Sequence, residues 1–456
     1  MKTTDINSAL TAVCPGYGAL DEAELVSFAV DNVIPRAAVS PDSVESLSAV
    51  VRFAWENNLS VIPRGAGTKM NLGMPPSRAD LVISLENLNR VKEYESADMT
   101  ASVEAGISLH ALQTHLLTEH QFFPMDPPYS DRCTLGGILA TNAFGSLRWT
   151  HGTSRDLVIG TRVVQADGTV VKGGGKVVKN VAGYDINKMY IGSLGTLGII
   201  VEATVKVQPL PETEEAVLGR FSSISAASEA ARRVLDSEIM PAYVEVGNPV
   251  PIAILSRRAG GGLGDSGFAL IIGACGPKET VVWQMSECRK LCESAGAIQV
   301  TSIRDSLYGL THEVLQEFPT GQAVPRGMLP GIVSTVSMAP DDTEHIYVLA
   351  EDLCRQKAIG CGMLSHFGNG AMTLVFFREQ AFDGEDLANL CAILKELMVA
   401  AERMNGALTL THCPLALKDE INIWGESRGE WNIMKLIKDK FDPRHILNPG
   451  RFVHGI

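Results

Sequence analysis

The chain has 456 residues, enough for two or three domains at ~100–200 residues each, and its 45% hydrophobic and 20% charged content is that of an ordinary globular protein. Lys and Arg number 39 against 52 Asp and Glu, a formal charge of −13, and no dense basic run occurs. That balance argues against nucleic acid or an anionic membrane as the main partner.

In chain order, Met1–Ser8 lacks the continuous apolar core of a signal peptide, and no stretch reaches the ~18 apolar residues of a membrane span, so a cytoplasmic protein is expected. Residues 1–33 read as a helical segment, with Leu20–Val30 carrying an acidic first turn and apolar residues near i, i+3, i+4. Pro35–Pro41 reads as extended, and Asp42-Ser-Val-Glu45 as a capping pattern into a helix over Ser46–Asn57. Strands are predicted at Leu59–Ile62, Leu81–Leu85, Thr100–Glu104, Leu157–Ile159 and Ile199–Val207, and a helix over Ser108–Leu117. After Pro209-Leu-Pro211 the texture becomes repetitive. Strand, helix and strand follow one another at Val217–Phe221, Ser223–Leu235 and Tyr243–Val246, then at Phe268–Ala274, Lys278–Ala295 and Ile298–Ser302. The pattern recurs at Ile332–Met338, Asp342–Lys357 and Gly362–His366, and at Met372–Phe377, Asp386–Met404 and Leu408–His412. Such units with short connections predict an antiparallel sheet covered by helices.

Two glycine-rich stretches stand out. Ile62-Pro-Arg-Gly-Ala-Gly-Thr-Lys69 follows a strand end, removes side chains at Gly65 and Gly67, and adds Thr68 with the positive charges of Arg64 and Lys69. Between Pro127 and Ile200 the chain runs through Thr134-Leu-Gly-Gly137, Thr141-Asn-Ala-Phe-Gly145, Gly152-Thr-Ser-Arg-Asp156 and Gly192-Ser-Leu-Gly195-Thr-Leu-Gly198. Loops that repeatedly offer backbone N–H groups and small hydroxyls suit a long ligand carrying phosphates. Neither is the G-x-G-x-x-G of an NAD(P) Rossmann unit. Gly173-Gly-Gly-Lys176 is not a P-loop either, because Val177 stands where Ser or Thr is needed.

Together these stretches resemble the vanillyl-alcohol-oxidase-like flavoproteins, whose FAD-binding domain is also called the PCMH type. The resemblance implies an α+β fold: a helical segment over 1–33, an FAD domain over 34–211, a ferredoxin-like cap over 212–440, and a tail, 441–456, returning to the flavin. It further implies that FAD is held, without a covalent bond, by Pro63, Arg64, Gly65, Ala66, Gly67, Thr68, Pro127, Thr134, Gly136, Gly137, Ala140, Thr141, Asn142, Gly145, Gly152, Gly198, Ile200 and Asn448. Asn448 belongs to the tail Phe441-Asp-Pro-Arg-His-Ile-Leu-Asn-Pro-Gly-Arg-Phe452, which matches the ending of FAD-linked oxidases of 2-hydroxy acids. Cys133 stands one place away from where some relatives attach flavin, and His151 is a candidate contact to the ribityl chain.

In active 2-hydroxy-acid enzymes of this group the cap carries H-x-G-D-G-N-x-H and a later Glu-His pair, which hold a divalent metal and the substrate. Here the first segment reads Ser365-His-Phe-Gly-Asn-Gly-Ala-Met-Thr373 and the second Leu408-Thr-Leu-Thr-His412. His366 and His412 remain, Asn369 replaces Asp, and Thr373 and Thr411 replace a His and the Glu. No metal is therefore expected, and His366, His412 and Asn369 are the candidate catalytic residues. Arg326 and Arg378 are candidate carboxylate ligands. The departures, with Trp424-Gly425 and Phe441-Asp-Pro443, resemble the FAD-binding E-type subunits of glycolate oxidase complexes. That resemblance implies a small 2-hydroxy-acid substrate, a homologous flavin subunit and an iron–sulfur subunit as partners. The alternatives are a self-sufficient D-2-hydroxy-acid dehydrogenase and a non-catalytic flavin relay. The nine scattered cysteines fit a reducing compartment and predict no cluster in this chain, with Cys288 and Cys292 read as plain thiols.

Overall fold

The structure, a computed structural model, describes residues 3–175 and 184–456. Lys176 and Val177, invoked above against a P-loop, lie outside the described residues. The chain divides into two compact units. The first comprises residues 1–144, 152–210 and 426–456, and the second residues 145–151 and 211–425. The boundary expected at 440/441 thus falls at 425/426. The helix Gly429–Phe441 joins the first unit, where Phe441 packs edge-on against Tyr190.

Within the first unit, a parallel three-stranded sheet places Leu81–Ser84 between Ala37–Val39 and Val61–Arg64. Leu81–Ser84 is buried on both faces, which is why it reads as a continuous apolar run instead of an alternating one. A second sheet is antiparallel and five-stranded, in the order Val91–Glu95, Thr100–Glu104, Ile199–Lys206, Val158–Val164, Val170–Gly174. The first of these strands carries two Glu and a Lys in five residues and has no apolar alternation to announce it. The helix Val44–Glu56 buries Val44, Leu47, Val50, Val51 and Ala54 on one stripe. Its cap is Ser43, whose hydroxyl accepts the Ser46 N–H at 3.3 Å, not the Asp42 that opens the motif. Of the segment read as helical over 1–33, Thr3–Val13 and Glu22–Val26 are α-helical, the latter closed by a reciprocal capping box between Asp21 and Glu24. The apolar run Ile138–Ala140 lies in a short helix, Leu135–Thr141, that starts on Thr134.

The second unit is built on one eight-stranded antiparallel sheet. Its order is Gln299–Ile303, Thr213–Phe221, Phe268–Gly276, Tyr243–Gly247, Gly360–His366, Ala371–Phe377, Ile332–Ser337, Ala407–His412. Numbered within each group of four, the first half runs four, one, three, two and the second half two, three, one, four. The four β-α-β stretches therefore fold as two ferredoxin-like halves joined edge to edge through the second strand of each, Tyr243–Gly247 against Gly360–His366. The helices Pro249–Arg258 and Asp305–Glu317 have no counterpart in the predicted pattern. They cover the sheet face that carries Ala216, Leu218, Ile271, Leu364 and Val375.

Candidate active site

The first unit contains a cleft of about 630 Å3 at the end of the strand Val61–Arg64. Pro63, Gly65, Ala66, Gly67, Thr68 and Lys69 form one wall; Pro127, Cys133, Thr134, Gly137, Ala140 and Thr141 form another; Leu194, Asn448 and Arg451 close it. A second hollow of about 430 Å3 shares Pro63, Gly65, Thr134, Gly137 and Ala140 with the first. It adds Arg64, Gly136, Gly195, Gly198 and Ile200. Fifteen of the eighteen residues expected at the cofactor line one hollow or the other.

Three do not. Asn142 ends the Leu135–Thr141 helix in the left-handed region, at φ 48°. Gly152, also left-handed, precedes the capping Thr153. Gly145 falls in the second unit, as does His151. Each was singled out for standing in a glycine loop, and a turn explains a glycine or asparagine as well as a ligand does.

The local geometry requires the missing side chains. A Cβ on Gly65 would stand 2.1 Å from the Thr134 hydroxyl, so only glycine lets this loop meet the helix start. Gly67 turns the loop at φ +76°. Arg64 is engaged elsewhere: its guanidinium lies 4.7 Å over the Phe28 ring and donates to the Ser27 carbonyl at 3.2 Å. The cationic groups of the larger cleft are instead Lys69 and Arg451. Burial lowers the Lys69 pKa to about 8 and pulls the Arg451 pKa below its ordinary value. Arg451 is held by donating to the carbonyls of Met70 and Leu72. Cys133 is buried, which pushes its thiol up to about 12 against the opposing charge of Lys69. Such a thiol stays protonated and is a poor nucleophile. Asn448, at φ 49°, donates its Nδ2 to the Leu194 carbonyl at 2.6 Å, while its buried Oδ1 has no partner.

In the second unit His366 and Asn369 share the turn between Gly360–His366 and Ala371–Phe377. His366 is 6% exposed and its Nδ1 lies 2.8 Å from Oε1 of Glu245, itself 1% exposed. The Asn369 Oδ1 accepts the Ala371 N–H at 3.1 Å, and its Nδ2 is buried without a partner. Trp149 lies against Gly368 in the same turn: a Cβ there would come within 2.5 Å of the indole. The structure does not bring His412 beside His366. The strands Ala371–Phe377 and Ile332–Ser337 stand between theirs, and His412 is exposed. Partial desolvation of its ring, then the Lys418 ammonium, lower its pKa. Thr373 is buried in mid-strand, and Thr411 donates to the Val333 carbonyl at 3.4 Å. Among the described residues no group of three His, Cys, Asp or Glu is placed to hold a metal. Arg378 is tied to Asp386 and Arg326 is exposed. Cys288 and Cys292 are buried thiols of the helix Lys278–Ser294, both pushed up to about 12 by burial.

Residues 35–174 match the model of the FAD binding domain, and residues 210–452 match that of the FAD linked oxidases, C-terminal domain. The chain belongs to the FAD-linked oxidases. A glycolate oxidase subunit, GlcD, of Bacillus subtilis (strain 168) is 27% identical over 421 residues, covering 92% of this chain and 89% of the relative. A D-lactate dehydrogenase of Archaeoglobus fulgidus is 27% identical over 451 residues, covering 93% and 94%. The crystal structure of p-cresol methylhydroxylase with substrate bound shares the fold at a TM-score of 0.76 and 16% identity, covering 99% of this chain and 97% of that one.

The cleft fits the FAD that this family carries. Gly65 and Gly67 leave room for close backbone approach, Lys69 and Arg451 offer positive charge for a pyrophosphate, and the buried Asn448 Oδ1 awaits an N–H donor. Arg451 and Glu245 escaped the sequence analysis for different reasons. Arg451 was in plain view three residues after Asn448, in the tail already assigned to the flavin. Glu245 left no such signal, because 121 residues separate it from His366.

Proposed function

We propose that this chain is the FAD-binding subunit of a 2-hydroxy-acid oxidoreductase of the glycolate class, passing electrons to a partner carrier. Bound non-covalently, FAD supplies a two-electron acceptor for the CH–OH group. The chain's own part is to bind the cofactor through the Pro63–Lys69 loop, Thr134–Thr141 and Asn448, and to exclude water around it. The observation that carries this reading is an asymmetry. Fifteen of the eighteen expected cofactor residues line the cleft or the hollow beside it, whereas two ligand positions of the family's metal site hold the neutral residues Thr373 and Thr411. The E-type subunit is the member of the glycolate oxidase complexes that such a chain resembles. A homologous flavin subunit carrying the metal-type site and an iron–sulfur subunit are its partners in this reading.

One observation favours a second reading, a self-sufficient D-2-hydroxy-acid dehydrogenase. It is the buried pairing of His366 with Glu245, which orients an imidazole without any metal. The experiment that separates the two is recovery of the chain from its native cell with any bound subunits, followed by dye-reduction assays with glycolate and D-lactate. Co-purification with a flavin and an iron–sulfur subunit, and weak turnover by the chain alone, support the subunit. Rapid oxidation by the isolated chain with no partner recovered supports the dehydrogenase.

A further inference from the structure

The helix Gly429–Phe441 carries Lys438, whose side chain is entirely buried. Its ammonium donates three hydrogen bonds: 2.6 Å to Asp442 Oδ2, 2.8 Å to the carbonyl of Thr196 and 2.9 Å to the carbonyl of Leu447. An ammonium has three N–H groups, so all are used. Asp442 Oδ2 also accepts the Leu447 N–H, at 2.7 Å. One buried ion pair thus grips three segments: its own helix, the loop Gly192–Gly198 and the returning tail. Desolvation lowers the Lys438 pKa, and the Asp442 carboxylate draws it back up.

Stability is a weak reason for such a pair. Apolar side chains of similar volume commonly stabilise a protein as well or better, because desolvation offsets most of the attraction between buried charges. An ammonium differs from a leucine in that it can hold two carbonyls in fixed places. The two it holds are next to the cleft. Leu194, Gly195 and Gly198 lie on either side of Thr196 and line the two hollows. Asn448 directly follows Leu447. Its N–H donates to the Val61 carbonyl at 2.8 Å and its Nδ2 to Leu194, which leaves the buried Oδ1 unpartnered at the cleft. A buried acceptor without a donor is a cost that a ligand N–H removes.

We propose that Lys438 is a positioning residue of the FAD site: with Asp442 it ties the Gly192–Gly198 loop to the Ile446–Asn448 segment, and so sets Asn448 Oδ1 where it accepts a hydrogen bond from the cofactor. The proposal rests on the FAD assignment and not on the choice of substrate. It separates positioning from mere support, because support would change how much protein folds and leave the affinity of the folded protein alone.

The test is titration of FAD into the full-length apo-protein, followed by flavin absorbance and fluorescence, with thermal melting of the apo-protein in parallel. Lys438→Met with Asp442→Asn removes both charges together and keeps an oxygen for the Leu447 N–H. The expected result is a folded protein whose FAD affinity falls at least tenfold and whose bound-flavin spectrum shifts. Adding Asn448→Ala to that variant should weaken binding by less than Asn448→Ala does alone. FAD affinity within twofold of the parent chain, or fully additive losses, would overturn the proposal. Should the double variant not fold, Lys438→Arg decides. It keeps the charge but cannot aim three N–H groups from one nitrogen, so the same tenfold loss is expected, and unchanged affinity overturns the idea. Failure of the unmodified chain to take up FAD would refute the cofactor assignment itself, which the same titration reads separately.

Discussion

The Nδ1 of His366 stands 2.8 Å from the Oε1 of Glu245, across the one strand pair that joins the two ferredoxin-like halves of the second unit. Both side chains are buried, and the carboxylate leaves the imidazole one preferred orientation. Replacing Glu245 by Ala should destabilise the protein by about 2 kcal/mol, the usual cost of leaving one buried partner unsatisfied. Glu245→Gln should cost less, since an amide still accepts the bond. Denaturant midpoints for the two variants check this; midpoints equal to that of the unmodified chain would mean the pair contributes nothing.

His366 should also matter to turnover. With the partner subunits present, His366→Ala should lower kcat/KM for a 2-hydroxy acid by at least about tenfold, at the low end of what a positioned acid or base contributes. His412→Ala, at an exposed residue with two strands between it and His366, should change it less. Steady-state assays on matched preparations measure both, and the opposite ranking would move the catalytic role to His412.

Gly65 should tolerate no side chain. A Cβ would come to 2.1 Å from the Thr134 hydroxyl, which is itself buried at the helix start. Gly65→Val is expected to abolish FAD binding, with Gly67→Val and Gly137→Val also impaired, Gly67 through its positive φ. The readout is flavin content of the purified protein and its reconstitution with added FAD. A yellow Gly65→Val protein with full occupancy would show that the loop does not contact the cofactor.

Lys69 makes FAD binding pH-dependent. Burial holds its pKa at about 8 in the free protein, and an anion bound beside it raises that value, so binding takes up a proton. Affinity for FAD should therefore fall as pH rises through about 8, and Lys69→Met should flatten the dependence. Linkage in the apo-protein has a definite sign. The folded pKa lies below the unfolded value of 10.5, so the unfolded chain holds more protons between about 8 and 10.5. Apo-protein stability due to this residue should accordingly rise with pH across that window and be lowest below it. Titrations at pH 7, 8 and 9, with Lys69→Met as control, test both statements.

Metal should play no part. With Thr373 and Thr411 at the ligand positions, purified protein is expected to hold well under one zinc, iron or manganese per chain, and chelators to leave the activity of any preparation unchanged. Elemental analysis giving one tightly held metal per chain would refute this.

The sequence by itself determined the kind of protein, its cofactor and most of the strands. Those signals are local: glycine where backbone must come close, β-branched runs for buried strands, turn residues at fixed offsets. The Pro63–Thr68 loop, Thr134–Thr141 and Asn448 were readable one residue at a time for that reason. Asn142, Gly145 and Gly152 looked alike in sequence, and it took the folded chain to show that they line neither hollow. Tertiary structure alone decided which distant residues meet. Glu245 reaches His366 because two half-sheets share an edge, and Lys438 reaches Thr196 because a helix late in the chain packs beneath an early loop. Such pairings leave no periodic trace, since the partners lie 121 and 242 residues apart in sequence and meet only when the strands and helices that carry them have packed.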